Sequence, residues 1–364
     1  MSRPHCHFLF PGALDTRTGG FIYDRRVIEG LRALGWTVQD ASLGEGYPFP
    51  ADAARRQAQA VIEALPDDSL AVADGLAFGA LGALAQAHAG RLRWVALVHH
   101  PLALETGLDE AGRQTLHAGE TLALAAARGV IVTSPGTVQD LACHGVAPGD
   151  IQVVLPGTDP APPADGSAAG APLQLLCVAS LTPRKGHLAL VQALAGLKDH
   201  RWQLRCAGSD RFDPDCAAQV RSAIDAHGLA DRILLAGEQD EAGLARLYGG
   251  ADAFVLASFH EGYGMALAEA LARGLPVIST RAGAIPGTVP PDAGELVPPG
   301  DVDALRSALR RLMEDAAWRT QLRQGARRAR ALLPDWPASS AGFARALQAF
   351  GARRQPLGQG RELP

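Results

Sequence analysis

Two glutamates, Glu261 and Glu269, stand with seven residues between them in the run His260–Ser279, HEGYGMALAEALARGLPVIS. The first is bracketed by Gly262 and Gly264, residues that suit a loop and interrupt a helix. The second falls in MALAEALAR, a stretch of strong helix formers closed by Gly274 and Pro276. The apolar runs Phe254–Ala257 and Val277–Thr280 on either side read as strands, so the unit is strand, glycine loop, helix, strand. A carboxylate only accepts hydrogen bonds, which makes a vicinal diol its natural partner. The N–H groups of the first helical turn, Gly264, Met265, Ala266 and Leu267, lack intrahelical acceptors and attract an anion. Carboxylates for hydroxyls beside amides for phosphate describe a nucleotide-sugar site. Taken alone, the spacing fits equally a solvated loop glutamate and a helix-face glutamate.

Other residues narrow that choice. Arg184 and Lys185 in SLTPRKGH follow the strand-like run Gln174–Ala179 and precede a helix. Two adjacent cations at a helix start make a diphosphate clamp able to neutralise charge on a leaving nucleoside diphosphate. Only Lys185 and Lys198 are lysines in a chain otherwise rich in arginine, so the ammonium at 185 draws notice. His99 and His100 end the run Arg93–Val98 and are fixed from behind by Pro101. An imidazole there suits a sugar hydroxyl or a proton relay, and alternation along extended chain turns one of the two toward a site. Gly19 and Gly20 follow the first strand and precede a helix expected from about Ile22; they let backbone approach a ligand but do not form a dinucleotide fingerprint. Asp213-Pro214-Asp215 is formally a metal-type Asp-x-Asp, but it follows a loop rather than a strand end, and no metal is expected there.

These loops need elements to hold them. Strand-like runs at His5–Phe10, Arg93–Val98, Val130–Thr133, Ile151–Leu155, Gln174–Ala179, Gln203–Ala207, Ile233–Ala236, Ala253–Ala257 and Val277–Thr280 alternate with helix-like stretches such as Ile22–Leu34 and Leu188–Leu197. Such alternation of continuous apolar runs with helices implies α/β architecture, with parallel sheets buried on both faces. The segment 156–172, PGTDPAPPADGSAAGAP, has no apolar period and reads as a linker. It separates an N-terminal unit, 1–160, from a C-terminal unit, 172–336. A cleft facing the strand C-termini of both is expected. A pair of arginine-rich helices follows within Ala304–Ala331, then a final helix at Ser339–Phe350, and the tail from Arg353 reads as disordered.

Composition excludes several classes. A chain of 364 residues, 47% hydrophobic, is long enough for two cores. A net charge of −4 gives no global attraction to nucleic acid or anionic membrane. No apolar stretch reaches membrane-span length, and the start, MSRPHCHFLFPG, resembles no leader. A cytoplasmic protein is expected, with at most peripheral membrane contact. Arg25, Arg26 and Arg32 on the Ile22–Leu34 stretch suit an anionic lipid surface, but Asp24 and Glu29 dilute the charge and a solvated face is the simpler reading. Five scattered cysteines without a C-x-x-C pair point to neither disulfides nor zinc.

With these residues assembled, the chain resembles the retaining GT-B-fold glycosyltransferases of family 4, the glycosyl transferases group 1, over nearly its whole length. The resemblance rests on SLTPRKG, on Ala207–Gly208, on LYGGADAFVLASFHEGYGMALAEALARGLPVIST, on DAGELVPPGDVDAL and on Trp336. It implies two Rossmann-like domains, a UDP- or GDP-sugar donor, an acceptor hydroxyl, retained anomeric configuration, and no metal or cofactor. It assigns Arg184 and Lys185 to the diphosphate, Glu261 to donor-sugar hydroxyls and the Gly264–Leu267 backbone to phosphate or sugar. Glu269 goes to the ribose and His99 to the sugar, Gly19 and Gly20 to a loop over the phosphates and acceptor. The last helix, about 339–352, is expected to cross back onto the first domain. Departures are Ala257 where proline is usual, Gly287 where glutamate is frequent, and Ala179–Ser180 where a glycine is usual; the Gly287 change bears on donor selectivity. The other readings are a phosphorylase or epimerase of the same fold, a nucleotide-sugar-binding protein without turnover, and a nicotinamide oxidoreductase. Intact Arg184, Lys185, Glu261 and Glu269 speak against the binding protein, and the missing fingerprint against the oxidoreductase.

Overall fold

The structure is a computed structural model that describes residues 3–359. By its internal contacts the chain divides into two units, residues 1–157 with 334–364, and residues 158–333. In the first, six strands are β1 (His5–Phe10), β2 (Thr37–Ser42), β3 (Leu70–Asp74), β4 (Arg93–Val98), β5 (Val130–Val132) and β6 (Ile151–Val153). They form one wholly parallel sheet in the order β2-β1-β3-β4-β5-β6. In the second, β7 (Leu173–Val178), β8 (Trp202–Ala207), β9 (Ile233–Gly237), β10 (Ala253–Leu256), β11 (Val277–Thr280) and β12 (Gly294–Val297) form another, in the order β12-β11-β10-β7-β8-β9. Each unit is a doubly wound α/β layer of the GT-B kind, its central strands buried along their length because helices cover both faces.

The order reverses direction once in each sheet, between β1 and β3 and between β10 and β7. Loops leaving neighbouring strands at such a reversal part to opposite faces and open a crevice at the carboxyl ends. Arg184 and Lys185 follow β7, Glu261 follows β10, Asp74 ends β3 and His99 follows β4. Sequence order thus brings Arg184, Lys185, Glu261 and Asp74 to the switch points, with His99 one strand away.

Several expectations are corrected. Strands β2, β3 and β12 were not expected. β2 is an edge strand in which only Val38 is buried, so TVQDAS carries no apolar run. β3, LAVAD, merges with the alanine-rich helices after it, and β12, GELV, is short and opens on glycine. The first helix begins at Gly19, not near Ile22, so Gly19 and Gly20 form its first turn, with Ile22 N–H donating to Thr18 O. The final helix runs Trp336–Gly351 with Asp335 as its N-cap, because Pro337 sits in the first turn, where a missing N–H costs nothing. The segment 158–172 lies along the second unit: Ala164, Asp165 and Gly166 donate backbone hydrogen bonds to Arg273 and Gly249 carbonyls. The start of the tail is ordered, contrary to expectation. Arg353 donates to Asp150 Oδ1 at 2.8 Å and to Arg128 O at 3.0 Å, and Leu357 N–H donates to Ala127 O. Residues 360–364 lie outside the described residues.

Candidate functional site

In the second unit the clamp and the first glutamate form one cluster. Pro183–Lys185 is a single helical turn ended by Gly186 at φ +68°, which starts the helix His187–Ala195. A Cβ on Gly186 would lie 2.0 Å from Ala257 O, so a glycine is required for the turn after β7 to close on the end of β10. Across that contact Phe259 N–H donates to Arg184 O at 2.7 Å. Lys185 Nζ donates to Glu261 Oε1 at 2.6 Å, and Arg184 Nη1 donates to His260 O at 2.9 Å while lying 3.9 Å from the same carboxylate oxygen. Ser258 Oγ stands 2.7 Å from Glu261 Oε1. Burial would raise the Glu261 carboxyl; the Lys185 and Arg184 charges and the hydrogen bonds from Lys185 and Ser258 outweigh it and hold it below the ordinary carboxylate range. Glu261 is therefore a buried anion between two cations.

Glu269 sits in the helix Met265–Ala272, whose N-cap, Gly264, adopts φ +87°. Leu267 and Ala268 N–H both donate to Gly264 O, which aims the amides of Met265 and Ala266 along the helix axis toward its start. Tyr248, fully buried, donates its hydroxyl to Glu269 Oε2 at 2.9 Å, and Arg273 stacks over the Tyr248 ring at 4.3 Å. Burial raises the Glu269 carboxyl above its ordinary value, and the Tyr248 hydrogen bond and Arg273 charge offset only part of that rise. The two glutamates thus differ in state: one is charge-clamped, the other held for hydrogen bonding.

In the first unit His99 Nε2 lies 3.1 Å from Asp24 Oδ1 and 3.2 Å from Asp74 Oδ2. Gly20 permits this placement, since a Cβ there would stand 3.3 Å from His99 Cδ2. Tyr23 meets the imidazole edge-on at 5.4 Å. Burial lowers the His99 pKa, but hydrogen bonds and charges from Asp24 and Asp74 reverse that and push it up to about 10. Burial and the Asp74 charge push Asp24 up to about 8; burial would raise Asp74 too, but His99, the Asp24 hydrogen bond and the Leu76 N–H outweigh it and keep Asp74 low. The imidazole thus favours its charged form, Asp74 its carboxylate and Asp24 its protonated carboxyl. His100 turns the other way, to Glu105 Oε2 at 3.3 Å. Donor atoms of Asp24, Asp74 and His99 fall within 4.8 Å of one another, as do those of Cys177, His187 and Cys206 in the second core.

Sequence profiles decide the family. The profile described as "Glycosyl transferases group 1" matches residues 163–329, and "Glycosyltransferase Family 4" matches residues 42–162. The chain belongs to glycosyltransferase family 4. This family-4 chain is 28% identical over 215 residues to the MMP alpha-(1->4)-mannosyltransferase of Mycolicibacterium hassiacum, covering 58% of the chain and 51% of that protein. It spans about half the length, or less, of the curated relatives it matches. Among solved structures it superposes on a sucrose-phosphate synthase from Thermosynechococcus elongatus with TM-score 0.81 and 25% identity, over 96% of this chain and 100% of that one. It also superposes on HepE of Anabaena in complex with UDP-glucose, with TM-score 0.77 and 18% identity, over 95% and 100%. The latter likeness is one of fold.

Asp24, Asp74, Ser258 and Tyr248 were not among the sequence-predicted site residues. Asp24 carried a readable signal: it lies three, four and seven residues before Val27, Ile28 and Leu31, all buried, so it occupies the apolar stripe of its helix. Reading it as part of a solvated face is corrected by its complete burial. Arg26 and Arg32 also serve inside the unit, stacking on Trp336 and pairing with Asp40. Asp213 accepts from Cys216 N–H at 2.8 Å as the N-cap of its helix, which explains the Asp-Pro-Asp triplet.

Proposed function

We propose that this family-4 chain transfers a glycosyl group from a UDP- or GDP-sugar to an acceptor hydroxyl, with retention and without a metal. The observation that carries the reading is the Arg184–Lys185–Glu261 cluster at the β10/β7 switch point. Arg184 and Lys185 stabilise the departing diphosphate, the task a divalent cation performs in other transferases. An ammonium offers three donors, so the Glu261 contact does not exhaust Lys185. Glu261, kept ionised, accepts from donor-sugar hydroxyls. Gly264, Met265, Ala266 and Leu267 present the helix start to phosphate, and Glu269, placed by Tyr248, accepts from the ribose diol. The family pattern assigns His99 to the sugar and Gly19 and Gly20 to the phosphates and acceptor. No side chain of the cluster is placed as a covalent nucleophile, so same-face attack is the proposed route: the acceptor oxygen bonds the anomeric carbon, the C1–O bond to phosphate breaks, and the leaving oxygen takes the acceptor proton. The mannosyltransferase relative supports a sugar-transfer reading and leaves the acceptor open.

The test is thermal stabilisation by UDP, GDP and their sugars in EDTA and in magnesium. Ligand at a hundred times its Kd stabilises by about 2.7 kcal/mol. An equal shift with one nucleotide in both buffers is expected, and lost in Lys185→Ala. Response only to inorganic phosphate would favour a phosphorylase, and response only with magnesium would overturn metal independence.

A further inference from the structure

We propose that His117, Cys143 and His144 bind a thiophilic divalent cation of the zinc type, at a site in the first unit made of none of the donor-site residues. The helix Glu110–Ala126 presents His117, Glu120 and Thr121 against the helical turn Leu141–His144. Thr121 Oγ1 donates its one proton to His117 O at 2.8 Å. Oγ1 also stands 2.8 Å from His144 Nδ1; with its proton on His117 O it accepts there, and Nδ1 then carries the ring proton. That tautomer leaves a bare lone pair on His144 Nε2. The His144 side chain has no exposure, and Nε2 has no hydrogen-bond partner among the described residues.

What Nε2 faces is another acceptor. Glu120 Oε2 lies 3.4 Å away, already accepting from Leu102 N–H at 3.0 Å. Glu120 Oε1 is equally buried and has no hydrogen-bond partner among the described residues. With that tautomer and an ionised Glu120, the two buried acceptors oppose each other at a cost, and a cation removes the conflict. The remaining ligands are near, Cys143 Sγ now donating to Asp140 O at 3.2 Å. The donor atoms of His117, Cys143 and His144 all lie within 4.8 Å of one another, and the two imidazoles stand 4.4 Å apart. Tetrahedral zinc, with bonds of about 2.0–2.3 Å, needs ligand atoms about 3.3–3.8 Å apart. Rotation of the exposed Cys143 and half-exposed His117 closes that gap, and their exposure supplies the entry path. Glu120 Oε2 is at a ligand-to-ligand distance from His144 Nε2 but is not in the cluster that the other three donors form, so water is the fourth ligand. Two imidazoles with one thiolate favour zinc over magnesium or calcium. On binding, the thiol proton leaves to solvent. No C-x-x-C spacing announces the set because its members come from two elements.

Cobalt(II) is the probe. Titrated anaerobically into the full chain, it is expected to give a near-ultraviolet thiolate-to-cobalt band that saturates at one equivalent and is displaced by zinc. Cys143→Ser, at an exposed position, loses the band, and His144→Gln weakens zinc binding at least about tenfold. Thr121→Val, which frees the tautomer, weakens it by about 10- to 100-fold. Absence of the band in the unaltered chain, or equal zinc affinity in Cys143→Ser, overturns the site and leaves a proton shared between Glu120 and His144 as the resolution of the buried contact. The nucleotide test above reads the ligand-induced shift, so a metal-dependent baseline does not confuse the two.

Discussion

The Lys185 ammonium and the Glu261 carboxylate are 2.6 Å apart, and Glu261 is 6% exposed. Removing one partner of such a pair leaves the other buried and uncompensated. The sign of the pH effect follows from the lowered Glu261 pKa. Its stabilisation is present above the unfolded carboxyl value, about 4.3, and is lost as pH falls through the folded value. Lys185→Met is therefore expected to lower the melting temperature at pH 7 and much less once pH has fallen below the folded Glu261 value, so the acid slope of the melting curve flattens. Catalytically, the same substitution is expected to reduce kcat by about 10²–10³ with a correct donor. Glu269 behaves oppositely. Its pKa is raised by burial, so it takes up a proton at higher pH than an ordinary glutamate. Nucleotide affinity, measured by titration calorimetry, is expected to decline as pH falls toward that value, and Glu269→Gln should bind more weakly but with a flatter profile.

At the scale of elements, the turn between β7 and its helix is the sensitive joint. Gly186→Ala places a Cβ 2.0 Å from Ala257 O at φ +68°. The left-handed backbone alone costs about 1–2 kcal/mol, and relief of the clash must part the β7 and β10 loops. Reduced denaturant stability of the second unit and loss of nucleotide stabilisation are expected together; normal ligand response in a destabilised variant would show that the joint does not set the clamp. The same elements explain what the sequence could and could not disclose. Continuous buried runs such as FVLA and VIST announced β10 and β11, and glycine and proline marked the ends of the helix between them. Edge strands carried no such signal, because β2 buries one residue in six and β12 is only four residues long. The placement of Arg184, Lys185 and both glutamates after strand ends was legible because each of those strands could be read. Asp74 was not, since the strand carrying it was hidden among alanines. Tyr248 was hidden for another reason: its hydroxyl reaches Glu269 from a helix 21 residues earlier, and no local pattern encodes that meeting.

For the whole molecule, the first unit is completed by the end of the chain. Phe343 packs on Phe8 and Tyr23, and Phe350 is 1% exposed. The Gly19–Ala33 helix approaches the final helix so closely that a Cβ on Gly30 would lie 1.9 Å from Ser340 Oγ. Truncation before Pro334 is expected to leave residues 1–157 unfolded or aggregated, since loss of each buried phenylalanine alone costs about 3–5 kcal/mol. Residues 158–333, whose core is continuous, are expected to melt cooperatively on their own. Calorimetry on the two fragments checks both, and a folded 1–157 fragment would refute the dependence.

The chain leaves the first unit after Gly157 and rejoins it at Pro334, and a Cβ on Gly157 would lie 2.4 Å from Trp336 N. Both seams of the second unit therefore meet at one spot. A single uninterrupted block of gene encodes that unit, and exchanging the block for another whose ends also meet leaves every contact of the first unit intact. The second unit is thus one continuous insertion into the first, and recombination can exchange its sequence in a single step.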